Sequence, residues 1–269
     1  MTFGLQRLSS TPLPLNGSVT RGGASMLRRW SLACLAVLAV SSFAHAEPTP
    51  GKQTAEQYAA GDTKLGYLLY TPADYGKDPA RKWPVILFLH GSGEAGDGTS
   101  QLSKVKLHGP PKVAEKQANF GFIVISPQNP PRGWWRPEQV KGLLDSAMTQ
   151  LKHADADRVY LTGLSLGGFG TWATAAAYPD TFAAIAPICG GGNVAWADKI
   201  KHLPTWVVHG DQDKAVKVER SVEMVTALKA AGAKDVQFTR HPEKGHDVWT
   251  VTYDDPKFYE WLLTHSRKK

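Results

Sequence analysis

Cysteine is almost missing from this chain. Two occur among 269 residues, Cys34 and Cys189, so a small scaffold held by disulfides is excluded. Long apolar runs are missing too. The longest lies at 32–40, well short of the roughly 20 residues that a helix needs to cross a bilayer. No basic block, internal repeat or low-complexity tract is present, so nucleic-acid binding has no support. Zinc-type spacing is also lacking. His241 and His246 stand five apart, which fits no common zinc motif, and no metal and no cofactor is assigned.

What the first residues do contain is a targeting pattern. Arg28 and Arg29 precede the 32–40 run, and Ala44-His45-Ala46 follows it. A positive segment, a short apolar segment and an A-x-A site make a secretory signal peptide, with cleavage expected after Ala46. The predicted organisation is an N-terminal extension and signal peptide at 1–46 and one catalytic domain at 47–269. Location is then secreted or periplasmic, with no stable membrane insertion after processing. Removing 1–46 takes away Arg7, Arg21, Arg28 and Arg29 and no acid, which more than halves the net charge of +7. Cys189 is left as a single thiol inside an apolar stretch, read as a buried small hydrophobe.

Beyond a polar leader at 47–62, the pattern alternates. Short apolar runs at 65–70, 84–89, 122–125, 158–161, 182–188, 205–208 and 236–240 read as strands. Segments 137–153, 166–178, 218–231 and 256–265 carry helical spacing. In 137–153, Val140, Leu143, Leu144, Ala147 and Leu151 share one face. Buried strands alternating with helices predict an α/β fold, a mostly parallel sheet with helices on both faces. Ligands of such sheets sit beyond the carboxyl ends of the strands.

The chemistry-bearing residues fall at those ends. Gly163-Leu164-Ser165-Leu166-Gly167 lies between a predicted strand and a predicted helix. A G-x-S-x-G turn there lifts a serine hydroxyl above the sheet. A hydroxyl is a weak nucleophile and needs a base and an orienting acid. His246 follows the last predicted strand. Asp213 and Asp211 share the loop after the preceding strand, and the HGxxDxxV spacing selects Asp213. The order Ser165, Asp213, His246 is that of a known triad arrangement. Leu89-His90-Gly91-Ser92-Gly93 ends an early strand and supplies a candidate oxyanion N–H at Ser92, with Gly93 as its rival. The second candidate N–H belongs to Leu166. Trp135 and Trp249 are candidate substrate-binding aromatics. His90 and His209 read as braces, and His108, His153, His202 and His265 as surface residues.

The motifs LHGSGEAG, SPQNP followed by WW, GLSLGG, HGDQD and GHDVW occur in that order. Together they resemble the small secreted esterase and peptidase branch of the α/β-hydrolases, similar to feruloyl and polyhydroxybutyrate-type esterases and to the prolyl oligopeptidase catalytic domain. The resemblance runs from about Asp62 to about Leu263. It implies an α/β-hydrolase fold without a large cap domain and a serine esterase with nucleophile, acid and base at Ser165, Asp213 and His246. A small-molecule or polysaccharide-linked ester is the implied substrate. The alternative is a serine peptidase of prolyl-oligopeptidase type using the same triad. The branch often has Arg after the glutamate of its oxyanion loop; here Ala95 follows Glu94.

Overall fold

The computed structural model describes residues 48–267. The signal-peptide and cleavage expectation for 1–46 lies outside the described residues. Eight strands form one sheet: β1 (Gln53–Ala60), β2 (Thr63–Tyr70), β3 (Trp83–Leu89), β4 (Ile123–Pro127), β5 (Ala154–Leu164), β6 (Ala184–Ile188), β7 (Thr205–Gly210) and β8 (Val236–His241). The helices are α1 (Gly109–Lys116), α2 (Pro137–Gln150), α3 (Leu166–Ala177), α4 (Ala197–Ile200), α5 (Glu219–Ala230), α6 (Trp249–Tyr253) and α7 (Pro256–Leu263). Short 3-10 turns occupy Ser92–Glu94, Leu102–Leu107 and Val194–Trp196.

The strand order is β1-β2-β4-β3-β5-β6-β7-β8. β1, β2 and β4 pair antiparallel, and every pair from β4 through β3 to β8 is parallel. Successive strand residues point to opposite faces, and β3 shows why its sequence is apolar throughout. Val85, Leu87 and Leu89 join one core cluster with residues of α2, α3 and α5. Ile86 and Phe88 join a second cluster with residues of α1, α6 and α7. Both faces of the sheet are covered, as buried parallel strands require. Among the described residues no helix is long and apolar enough to cross a membrane.

One expectation fails here. The polar leader at 47–62 is in large part β1, an edge strand. Its sequence, QTAEQYAA, has no β-branched run and little buried surface. Pairing makes it a strand, since all eight residues from Gln53 to Ala60 register against β2. Tyr58 packs on the core from this edge. The helix α1 and the Leu102–Leu107 turn also lack a sequence counterpart above. Gly109 and two prolines open α1, a composition that reads as loop until the chain's packing is known.

Strand order reverses at β3, because the chain moves first to β4 on one side and then to β5 on the other. A crevice opens between the loops that leave β3 and β5. The first of these loops is held by a close approach. A Cβ on Gly66 of β2 would overlap the Gly98 carbonyl oxygen, so only glycine lets this loop lie across the strand. Gly66→Ala is therefore expected to destabilise the fold by about 1–3 kcal/mol, the usual cost of overpacking a tight contact. Urea unfolding of the two proteins measures it, and an unchanged midpoint contradicts the contact.

Candidate active site

Ser165 sits between the end of β5 and the start of α3. Its φ of 52° is positive, a conformation shared by only Arg132 and Cys189 among the described non-glycine residues. Such a turn costs free energy and persists only where its surroundings enforce it. Two glycines show how. A Cβ on Gly167 would overlap the Leu89 carbonyl oxygen, and one on Gly163 would overlap the Gly167 carbonyl. The ends of β3, β5 and α3 meet at backbone contact. The Ser165 N–H is tied to the Ile188 carbonyl at 2.9 Å, which leaves the side chain to point out of the turn.

The hydroxyl meets an imidazole. Ser165 Oγ lies 2.9 Å from His246 Nε2. His246 Nδ1 donates to Asp213 Oδ2 at 2.6 Å. Asp213 is buried and well satisfied. Its Oδ1 accepts the N–H groups of Ala215 and Val216 at 2.8 and 2.9 Å. His209 Nε2 donates to the Val216 carbonyl at 2.8 Å and lies 3.2 Å from Asp213 Oδ2. The rival acid faces elsewhere, for Asp211 accepts from Arg240 Nε at 2.7 Å. His246 is held from behind as well, since Cys189 Sγ donates to its carbonyl oxygen at 3.1 Å. Burial pushes that thiol up to about 12, helped by the nearby Asp213 charge, which keeps it a protonated donor.

The turn after β3 lies against the nucleophile. A Cβ on Gly91 would stand 3.5 Å from Ser165 Cβ. Ser92 begins the 3-10 turn and Leu166 begins α3. First-turn N–H groups have no partner within their own helix, so both are free to donate toward the crevice. His90 braces this turn. Its Nε2 accepts the Asn129 N–H at 2.9 Å, and its Nδ1 faces the Gly91 carbonyl at 2.5 Å. These partners fix the neutral Nδ1–H tautomer.

The aromatic residues divide by role. Trp135 is buried, donates from Nε1 to the His90 carbonyl at 3.1 Å and stands edge-on to the His90 ring. It braces the turn and shows one side to a groove of about 540 Å³. The groove's other walls include Trp134, Phe169, Trp196 and Arg220, of which the last three were not expected from the sequence. Trp134 is 66% exposed and meets Phe169 edge-on. Phe169 is one helical turn from Ser165 and is a wall of this groove. Trp249 lies on the opposite side, its ring 5.0 Å from His246 and 5.6 Å from His108. His108 is therefore a wall of the crevice and not the plain surface residue expected. The local sequence did not mark this, since the Gly109-Pro110-Pro111 that follows His108 reads as loop.

The sheet order and the nucleophile turn define the α/β-hydrolase fold. A family model described as "Putative esterase" matches residues 59–253, and the chain belongs to this esterase family. Acetylxylan esterase A of Emericella nidulans is 31% identical over 51% of this chain, but the match spans less than half, 46%, of that protein. Poly(3-hydroxyoctanoate) depolymerase of Pseudomonas fluorescens is 25% identical over 71% of this chain and 77% of its own length. The crystal structure of a thermostable esterase superposes with a TM-score of 0.65 at 31% identity, covering 81% of this chain and 64% of that one.

Burial pushes the His90 ring down to about 4 from its ordinary 6.5. The unfolded chain therefore takes up a proton near 6.5 that the folded protein refuses until about 4. Stability is complete above this window and falls as pH drops through it, by at most roughly 3 kcal/mol. His90→Asn removes the titration. Denaturant unfolding from pH 7 to 4 is expected to show a flatter pH dependence for the variant, though it is less stable at pH 7. Equal slopes would contradict this account.

Proposed function

We propose that the protein hydrolyses carboxylic esters through an acyl-enzyme on Ser165. The observation that carries this reading is the unbroken relay from Asp213 through His246 to Ser165 on an enforced turn. As Oγ attacks the ester carbonyl, its proton passes to His246 Nε2. The carbonyl oxygen becomes an oxyanion that accepts from the N–H groups of Ser92 and Leu166. Collapse breaks the C–O bond to the alcohol, which leaves with the proton from His246. Water then attacks the acyl-enzyme by the same route and frees the acid. Asp213 holds the imidazole in the correct tautomer and stabilises its charged form.

Membership of the esterase family and likeness to an acetylxylan esterase and a polyester depolymerase favour ester over peptide substrates. We infer a small-molecule or polysaccharide-linked ester, its larger portion lying in the groove of Trp134, Phe169 and Trp196. Export follows from the N-terminal pattern at 1–46.

Ser165→Ala is expected to leave only the rate supplied by binding and the oxyanion donors, roughly 10³ to 10⁴ over water. Asp213→Asn is expected to fall by orders of magnitude and Asp211→Asn to change little. Nitrophenyl ester turnover and fluorophosphonate labelling measure these effects. Near wild-type turnover by Ser165→Ala, freed of contaminating esterases, would overturn the mechanism.

The groove makes a separate claim. Trp134→Ala should raise KM for bulky aryl or sugar esters by about 3- to 10-fold, the value of one aromatic contact. Nitrophenyl acetate, too small to reach the ring, should be unaffected. An equal effect on both substrates would remove the groove from binding.

A further inference from the structure

Among the described residues two carboxylate side chains are buried, Asp213 and Glu94. Asp213 belongs to the relay above. Glu94 has no part in it, yet it lies on the other side of the same nucleophile. A buried carboxylate is costly unless donors meet it, so its partners show what it is for.

Glu94 Oε2 accepts the Gly91 N–H at 2.9 Å. Its Oε1 lies 3.7 Å from His108 Nε2. The carboxylate reaches back over the turn that contains Ser92 and Gly93. A Cβ on Gly91 would lie 3.2 Å from Glu94 Oε2 and 3.5 Å from Ser165 Cβ, so the carboxylate and the nucleophile flank one point. The backbone of Glu94 is fixed as well, because Gln128 Nε2 donates to its carbonyl at 2.8 Å. Gln128 Oε1 meanwhile accepts the Gly98 N–H at 2.9 Å.

Charge does not explain this placement. A negative group beside a forming oxyanion opposes it, and opposition is strong in a low-dielectric site. Geometry explains it. Without Glu94, the buried Gly91 N–H would have no acceptor at that position, and the turn would have to reorient to find one. The Ser92 N–H would move with it. An oxyanion donor is useful only when its direction is fixed before the reaction.

We propose that Glu94 is a positioning residue: its carboxylate pins the Gly91 N–H and thereby aims the Ser92 N–H at the oxyanion. The inference rests on the esterase reading above. Two variants separate reach from charge. Glu94→Gln keeps an oxygen acceptor of the same reach and loses the charge. Glu94→Asp keeps the charge and is one methylene too short. Both are conservative enough to fold, and circular dichroism and thermal melting check this.

With a nitrophenyl ester, Glu94→Asp is expected to lower kcat about 10- to 100-fold, somewhat less than deletion of an oxyanion donor, with KM unchanged. Affinity for a boronic acid that forms a tetrahedral adduct on Ser165 should fall by the same factor, since it depends on the same donors. Affinity for the carboxylic acid product should not change. Glu94→Gln should stay within about threefold of wild type on every measure. If Glu94→Asp keeps wild-type kcat, or if Glu94→Gln loses as much as Glu94→Asp, this inference fails while wild-type turnover leaves the esterase reading intact. Absence of both turnover and boronate binding in the wild-type protein would overturn both.

Discussion

Everything at the crevice depends on one backbone contact, the approach of α3's first turn to the carbonyl end of β3. Gly167 meets the Leu89 carbonyl with no room for a side chain. This contact draws the β5–α3 turn tight, holds Ser165 at φ 52° and lays Gly91 beside the nucleophile. Ser165 and the turn at Gly91–Gly93 come from chain segments more than 70 residues apart. Their relation is nonetheless set by main-chain atoms, which are stiffer than any pair of side chains. A substitution at Gly167 would therefore disturb the turn at Ser165 and the turn after β3 together.

Around that contact lies a set of polar braces. His90 bridges the Gly91 carbonyl and the Asn129 N–H. Gln128 joins the carbonyls of Glu94 and Gln101 to the Gly98 N–H. On the far side His209 links Val216, Asp213 and the Ser221 hydroxyl. Loops cannot satisfy their own backbone groups as helices and strands do, so buried side chains must do it. The depressed His90 titration follows from the burial of its ring in this network.

The sequence made β3, β4, β6 and β7 legible because they are short apolar runs closed by glycine or proline. It made Ser165, Asp213 and His246 legible because their spacing places them after the carboxyl ends of β5, β7 and β8, where the structure puts them within hydrogen-bond reach. Three features were not legible. β1 is polar and depends on its neighbour for its conformation. The role of Glu94 depends on a return contact to Gly91, which no periodicity reveals. Trp134 and Trp135 are adjacent and identical, yet one is a buried brace and the other an exposed wall. Their difference comes from the fold around them: Trp135 faces His90 and Gly170, while Trp134 faces Phe169 across open space.

Access to the nucleophile is asymmetric, and glycines make it so. Residues 189–204 join β6 to β7 and carry only the Val194–Trp196 turn and α4. A Cβ on Gly191 would press on Arg220 and Phe169, and one on Gly192 on Met224 and Trp172. Bare glycine lets this segment lie flat against α3 and α5, and the groove stays open above it. Its volume of about 540 Å³ falls within the range of small-molecule sites. On the opposite flank Trp249, His108 and Glu94 crowd the relay with rings and a buried acid. The two sides of the site therefore differ, one an open groove and the other filled by rings and a carboxylate.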